Sequence, residues 1–130
     1  MIIVDTSIWV EVLRDSRKRG QVEGALAGAD AYLTRFTQME LLVGAGREDQ
    51  WSRLERYLSV QKYAEADSST WRDAARTYYE LRRMGKTVRS PIDCCIAEIT
   101  IAHDASLLHR DRDFRAIASV RPLRERWLDL

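Results

Sequence analysis

Short apolar runs alternate with helical patterns along the chain, and this alternation limits the possible folds more than any other feature. The first run, Ile2-Ile3-Val4, is β-branched and leads into Asp5-Thr6-Ser7, a sequence typical of a helix start. Further short strands are predicted at 31–34, 61–64, 105–109 and 121–123. Strands that alternate with helices indicate an α/β fold with a mainly parallel sheet.

Helices are predicted between these strands from apolar residues at helical spacing. The first runs from Asp5-Thr6-Ser7 to Leu13, and a loop at 14–20 separates it from a short helix at 21–27. The remaining helices are predicted at 37–45, 48–58, 69–84, from Ser90-Pro91 onward, and at 112–117. The chain shows no internal repeat and no linker, and its 130 residues match the size of one domain. We therefore predict a single domain over residues 1–130.

Composition excludes several classes of protein. With 45% hydrophobic and 32% charged residues, the chain is neither disordered nor of low complexity. No apolar run approaches the roughly 20 residues of a membrane span, and the start shows no signal peptide. The only cysteines, Cys94 and Cys95, are adjacent, so they are poor candidates for a structural disulfide and cannot supply a zinc site. These features predict a cytoplasmic protein without a membrane partner.

Acidic residues stand where the predicted strands give way to helices, or within the first turns of those helices. These residues are Asp5, Glu40, Asp93, Asp111 and Asp113. In a parallel sheet, the carboxyl ends of the strands and the N-termini of the following helices share one edge, which is where ligands bind. We therefore expect these carboxylates to gather in one cleft.

Helix capping is the alternative explanation of each acid taken singly. Thr37-Gln38-Met39-Glu40 and Ser90-Pro91-Ile92-Asp93 both match the capping box, in which an acid at the third helical position answers a hydroxyl at the N-cap. Asp5 or Asp111 can likewise cap the helix that follows it. Capping does not explain why all of these acids map to one edge of the sheet.

A cluster of carboxylates at one sheet edge predicts a metal site. Carboxylates that share a cleft repel one another and raise each other's pKa, and no Lys or Arg stands in the sequence where it would neutralise each one. Oxygen ligands with few cysteines or histidines suit Mg²⁺, and Mn²⁺ is also possible. Such an ion activates a water and stabilises charge on phosphate oxygens, which is the chemistry of phosphodiester hydrolysis.

Four motifs carry a family resemblance. They are Ile2-Ile3-Val4-Asp5-Thr6-Ser7, the helix with Glu40, Ser90-Pro91-Ile92-Asp93-Cys94-Cys95-Ile96-Ala97, and His109-Arg110-Asp111-Arg112-Asp113-Phe114. In this order and at these separations they resemble the PIN-domain ribonucleases, and more narrowly the VapC toxins of bacterial toxin–antitoxin pairs. The resemblance implies a PIN-like three-layer α/β/α fold and a metal-dependent endoribonuclease that cleaves tRNA or rRNA. It also implies a homodimer, and an antitoxin whose C-terminal segment enters the active-site groove.

The resemblance also implies roles for individual residues. Four acids fall on the family's acidic positions, which hold one or two Mg²⁺ or Mn²⁺ ions and position the attacking water: Asp5, Glu40, Asp93 and Asp111. Asp113 is a further candidate ligand, and Thr6 matches a hydroxyl residue that helps to orient the site. His109 stands where relatives often have Thr, and a histidine there is a candidate for substrate contact.

Three arginines flank the proposed ligands in sequence, and we expect them to contact RNA phosphates or an acidic segment of the antitoxin: Arg89, Arg110 and Arg112. The alternative is that they are solvated or paired with carboxylates. Two other functions remain open. One is a PIN-like module that binds RNA or protein without cleaving, and the other is a phospho-acceptor domain, although no lysine follows Asp93 as that function would require.

Overall fold

A five-stranded parallel sheet forms the centre of the computed structural model, which describes all 130 residues. Its strands are β1 (Ile2–Val4), β2 (Ala31–Leu33), β3 (Lys62–Tyr63), β4 (Ser106–His109) and β5 (Arg124–Trp127). Their order in the sheet is β3-β2-β1-β4-β5, and every neighbouring pair is parallel. The predicted α/β fold with a parallel sheet is thereby confirmed.

Seven helices cover the two faces of this sheet. They are α1 (Thr6–Arg14), α2 (Arg19–Leu26), α3 (Arg35–Val43), α4 (Glu48–Ser59), α5 (Thr70–Arg83), α6 (Pro91–Ala102) and α7 (Arg112–Ala118). Because successive residues of a strand point to opposite faces, Ile3 and Leu107 enter one apolar cluster with α5, α6 and α7. Val4 and Leu108 enter the other, with α1, α2 and α4. The three predicted layers are therefore present. None of the helices has the length and apolar character needed to cross a membrane.

The last strand lies further along the chain than predicted. The prediction of a strand at 121–123 is wrong. These residues form a turn, in which the Leu123 N–H donates to the Arg121 carbonyl at 2.8 Å. Strand β5 begins only at Arg124. It escaped prediction because it is an edge strand whose alternate residues, Arg124 and Arg126, are charged and exposed.

Two helices begin earlier than predicted. The expected loop at 14–20 contains a helical turn, Ser16–Lys18, which the Asp15 side chain caps, and α2 begins directly after it. Helix α3 begins at Arg35, because the Thr34 side chain accepts a main-chain N–H of its first turn at 3.3 Å. This shift changes the place of Glu40 within α3.

The carboxyl ends of β1 and β4 form the edge of the sheet where the acids meet. The Asp5 N–H donates to the Leu108 carbonyl at 2.9 Å, so the pairing of β1 with β4 extends to the first acid. Helices α1 and α7 begin directly after these two strands. The central position of β1 between β2 and β4 therefore places Asp5 in the middle of this edge.

Candidate active site

Three carboxylates meet at this edge, and we call them the acidic triad. Asp93 lies in the first turn of α6, while Asp111 and Asp113 lie at the N-terminus of α7. Each of these side chains contributes one carboxylate oxygen to a group of three oxygens that all lie within 4.8 Å of one another. The Ser90 side chain caps α6 by accepting a main-chain N–H at 3.1 Å, and a proline fills the first helical position. This helix start fixes the direction in which the Asp93 carboxylate projects.

Asp5 is buried directly after β1, and Ser7 holds its carboxylate in place. The Oδ2 atom of Asp5 accepts the Ser7 N–H at 2.9 Å and the Ser7 hydroxyl at 2.6 Å. The Ser7 Oγ in turn accepts the Arg110 N–H at 2.9 Å, so this side chain ties the end of β1 to the residue after β4. Sequence analysis missed this role of Ser7, although its place in the helix start was an available signal.

Glu40 approaches the site from α3, and Thr6 contacts it from α1. The Thr6 Oγ1 lies 3.4 Å from Glu40 Oε1 and 2.9 Å from Thr37 Oγ1. Asp5 and Glu40 lie outside the acidic triad, whose oxygens are the ones within 4.8 Å of one another. The five predicted acids therefore form a compact triad with two further carboxylates beside it.

Capping explains some of these acids and not others. Asp5 and Asp111 are the N-caps of α1 and α7. Glu40 caps nothing, because it lies in the second turn of α3, so the capping box predicted at 37–40 is wrong. Ser90 caps α6, but the Asp93 carboxylate does not accept the Ser90 main-chain N–H, as a capping box would require. Capping therefore accounts for neither Glu40 nor Asp93.

Burial and crowding raise the pKa of three of these carboxyl groups. Burial, followed by repulsion from Asp111 and Asp5, raises the pKa of Asp93 to about 8. Burial also raises the pKa of Asp5, although hydrogen bonds from Ser7 oppose this shift. The pKa of Glu40 is raised by partial burial of its carboxylate and by the charge of Asp5. Each of these groups would be easier to ionise beside a cation.

Arg89 contacts two acids of the triad, so the alternative in which this arginine pairs with carboxylates is the one that the structure shows. Its Nη2 donates to Asp111 Oδ2 at 2.7 Å. Its Nε lies 3.3 Å from Asp113 Oδ2, and its main-chain N–H donates to that same oxygen at 3.0 Å. The Arg89 side chain remains 76% exposed, so water screens both ion pairs.

All three predicted arginines line a cleft of about 420 Å³ beside the triad, formed by Arg89, Arg110, Asp111, Arg112, Asp113 and Trp127. Arg110 is paired, with its Nη1 3.2 Å from Glu11 Oε1. Arg112 is exposed and lies within 4.0 Å of no carboxylate. The cleft therefore combines an acidic floor with one arginine that is free to bind an anion.

The chemistry of the donor set fits a hard divalent cation. Carboxylates from the starts of α1, α6 and α7 and from α3 outnumber the single guanidinium that contacts them. The triad contains no thiol or imidazole. Cys94 lies in the core, where burial raises its pKa to about 12. Oxygen ligands of this kind suit Mg²⁺ and Mn²⁺.

The burial of His109 argues against the substrate contact that was expected at this position. Its side chain is fully buried. Its Nδ1 accepts the Asp111 N–H at 3.1 Å, and its Nε2 lies 2.5 Å from Glu125 Oε2. Sequence analysis missed Glu125 because only the pairing of β4 with β5 brings it beside His109.

Comparison with known proteins finds relatives both by sequence and by structure. A sequence model described as the PIN domain matches residues 2–120. Ribonuclease VapC11 of Mycobacterium tuberculosis is 38% identical over 125 residues, which cover 92% of this chain and 93% of the relative. VapBC-1 from nontypeable Haemophilus influenzae aligns with a TM-score of 0.79 at 17% identity over 98% of each chain. VapBC2 from Rickettsia felis, bound to a promoter DNA fragment, aligns with a TM-score of 0.77 at 20% identity over 99% of this chain and 100% of that one.

Proposed function

Because this chain belongs to the PIN-domain family and, within it, to the VapC ribonucleases, we propose that it cleaves structured RNA, tRNA or rRNA, and requires Mg²⁺ or Mn²⁺. It acts as the toxin of a toxin–antitoxin pair. The observation that carries the metal dependence is the set of carboxylates that a single arginine leaves largely unneutralised. The alternative is a PIN-like module that binds RNA or protein without cleaving, and the presence of an acid at all four family positions favours the enzyme.

The free oxygens of the site indicate which residues would hold the ion. No N–H or hydroxyl donates to the Asp93 carboxylate, and those that donate to Asp5 and Asp113 reach only Oδ2, which leaves the Oδ1 atoms available. We propose these three with Asp111 and Glu40 as the ligands. When bound, Mg²⁺ or Mn²⁺ supplies an activated water and stabilises charge on the phosphate oxygens.

The remaining polar residues orient the acids and the RNA. Ser7 holds Asp5 in one rotamer, and Thr6 contacts the Glu40 carboxylate. Arg112 is exposed beside the triad, so it is the arginine most available to an RNA phosphate. Arg89 and Arg110, which line the same cleft, are proposed to contact phosphates or an acidic antitoxin segment.

Metal removal tests the proposed activity. Total RNA from the host, incubated with antitoxin-free protein and Mn²⁺ or Mg²⁺, is expected to give discrete fragments, and excess EDTA is expected to abolish them because the carboxylates alone cannot activate water. Sequencing of the fragment ends names the substrate. Restoration of cleavage by Mn²⁺ added after EDTA controls for irreversible loss of fold.

Two results would contradict this proposal in different ways. Cleavage that persists in EDTA would refute metal dependence. Absence of cleavage with either ion, in protein that binds Mn²⁺ by calorimetry, would favour the non-cleaving module.

A groove of about 650 Å³ runs between α1, α3 and α4 and reaches Glu40. Its walls include Val10, Leu13, Leu54 and Tyr57, and three arginines stand among the lining residues: Arg14, Arg19 and Arg53. Leu13 is 46% exposed although it is apolar. Apolar walls beside arginines fit an amphipathic segment with acidic residues. We therefore propose this groove as the binding site of the antitoxin.

A charge placed in the groove is expected to weaken antitoxin binding. Leu13→Glu is expected to raise the Kd for the co-expressed antitoxin at least about 10-fold, because a carboxylate would be buried against an apolar segment. Calorimetry measures this effect. Val60→Glu is the matched control, because Val60 is 78% exposed and lies outside the groove. Equal effects of the two substitutions on the Kd would contradict the proposal that the antitoxin binds in this groove.

A second exposed apolar patch lies on α3 and α5, away from the groove. Trp71 and Met39 are 55% and 48% exposed, and Trp71 packs edge-on against Phe36 with ring centroids 6.2 Å apart. We propose that a second copy of the chain covers this patch in a homodimer.

Substitution of Trp71 tests the proposed homodimer. Trp71→Arg is expected to raise the dimer dissociation constant at least about 10-fold, since large aromatic residues dominate such interfaces. Sedimentation equilibrium measures it, with Trp51→Arg on α4 as the control. A wild-type chain that sediments as a monomer would contradict the homodimer.

The proposed substrates place the chain in the cytoplasm. Cys94 and Cys95 are free thiols, which a reducing compartment keeps unoxidised. Burial raises the pKa of both thiols, so neither is a reactive thiolate at neutral pH.

A further inference from the structure

We propose that His109 and Glu125 form a buried pair that positions the Asp111 carboxylate by fixing the direction of the Asp111 main chain. The pair touches no substrate, and it acts through the hydrogen bond from the Asp111 N–H to His109 Nδ1. The proposal rests on the metal-dependent function above, because the position of Asp111 matters most if it is a metal ligand.

The two hydrogen bonds of His109 define its tautomer. The Asp111 N–H can only donate, so Nδ1, which lies 3.1 Å away, must carry no proton. The proton is then on Nε2, which donates to Glu125 Oε2 at 2.5 Å. Glu125, as an acceptor, selects the one tautomer that leaves Nδ1 able to accept the Asp111 N–H.

Packing holds the imidazole in this orientation. The ring is fully buried, with the ring centroids of Phe114 and Trp127 5.1 Å and 5.8 Å away. Strands β4 and β5 pair with His109 opposite Trp127 and Leu107 opposite Glu125. The β5 residues beside His109 therefore provide both the aromatic wall and the carboxylate.

Stability alone does not explain why a glutamate occupies position 125. Its side chain is 20% exposed and its one charged or polar partner is His109, with no Lys or Arg within 4.0 Å. A half-buried carboxylate without a cation costs folding free energy, and an apolar residue would fill this space more cheaply. This cost supports a role in the site.

The Asp111 main chain controls two acids of the triad. Asp111 Oδ1 accepts the Asp113 N–H at 3.0 Å and thereby caps α7, while its Oδ2 accepts from Arg89. A change in the direction of the Asp111 amide would therefore move the carboxylates of both Asp111 and Asp113. Partners that orient metal ligands in this way commonly change metal affinity by about 10- to 100-fold when removed.

The test compares an apolar and an amide replacement of Glu125. Glu125→Leu removes the acceptor, so we expect nitrogen NMR of His109 to show a proton on Nδ1 in part of the molecules. We expect Mn²⁺ affinity by calorimetry to fall about 10-fold, with kcat for RNA lowered and KM unchanged. Glu125→Gln keeps a carbonyl acceptor, and we expect it to restore the Nε2–H tautomer and most of the Mn²⁺ affinity. Thermal unfolding reports whether each variant is folded.

Each outcome decides the matter. The proposal would be overturned if Glu125→Leu kept the Mn²⁺ affinity of the wild type. It would also be overturned if both variants lost Mn²⁺ affinity only in proportion to their loss of thermal stability. If Glu125→Leu does not fold, Glu125→Ala replaces it, and a wild-type spectrum with the proton on Nδ1 would overturn the proposal without any variant. A wild-type chain that binds Mn²⁺ but leaves RNA intact would refute the proposed function only, since the tautomer and the Mn²⁺ affinities still test the pair.

Discussion

Replacement of Asp93 by Asn is expected to lower RNA cleavage at least about 1000-fold, which corresponds to roughly 4 kcal/mol of transition-state stabilisation. Asp93 is the acid of the triad whose carboxylate accepts from no N–H or hydroxyl and caps no helix, and the charged groups that shift its pKa are all carboxylates, so a cation is what this side chain lacks. Asn keeps the shape of the side chain and removes the charge that a hard cation requires. The loss is measured as the rate of fragment formation with saturating Mn²⁺.

The same substitution is not expected to harm the fold. Asp111 and Asp5 repel Asp93 when it is ionised, so loss of its charge removes this repulsion from the metal-free protein. Asp73→Asn provides the matched control, because Asp73 also lies in the first turn of a helix but pairs with Arg72 at the surface. Cleavage retained by Asp93→Asn, or lost equally in Asp73→Asn, would contradict the assignment of Asp93 as a ligand.

Helix capping and metal binding make compatible demands on the same residues. Asp5 and Asp111 cap α1 and α7, and these caps hold the side chains in place before any ion arrives. Asp5 uses only Oδ2 for its cap, which leaves Oδ1 free. The two explanations that sequence left open for these acids are therefore not alternatives, because a capped carboxylate is already oriented toward the shared edge.

The parts of the fold that sequence predicted are those set by local pattern. The β-branched run Ile2-Ile3-Val4 favours a buried strand, and the helix start after it places Asp5 at the carboxyl end of that strand. Strand β5 was misplaced because its charged residues lack that pattern, and its identity comes from pairing with β4. Local sequence patterns are therefore sufficient to predict that Asp5 lies at the edge of the sheet.

The parts of the site that sequence could not predict depend on contacts between distant residues. Arg89 reaches Asp111 and Asp113 only because α6 and α7 begin side by side, and no spacing rule encodes that approach. Glu125 meets His109 through the register of two parallel strands. The sequence neighbours of these two charged residues give no sign of their partners, because both contacts arise only when distant segments pack together.

In the absence of divalent cations, the free energy of unfolding is expected to fall by on the order of 2 kcal/mol as the pH rises from about 5 to about 8. The pKa of Asp93 is about 8 in the folded chain and 3.8 without the burial and repulsion that the fold imposes. The folded state therefore holds this proton more tightly than the unfolded state, and its advantage is lost as the pH rises through the folded pKa. Raised pKa values of Asp5 and Glu40 act in the same direction.

Urea denaturation in EDTA at several pH values between 5 and 8 measures this fall, and Asp93→Asn is expected to remove most of it while Asp73→Asn keeps it. Acids whose pKa is lowered by partners, such as Asp49 and Asp67, titrate below this range and do not obscure the comparison. Saturating Mn²⁺ is expected to reverse the trend in the wild type, because the ion binds the ionised carboxylates and stabilises the folded state by mass action. If the free energy of unfolding changed with pH in the same way in the wild type and in Asp93→Asn, the fold would not raise the pKa of Asp93. The excess of negative charge on which the metal assignment depends would then be absent.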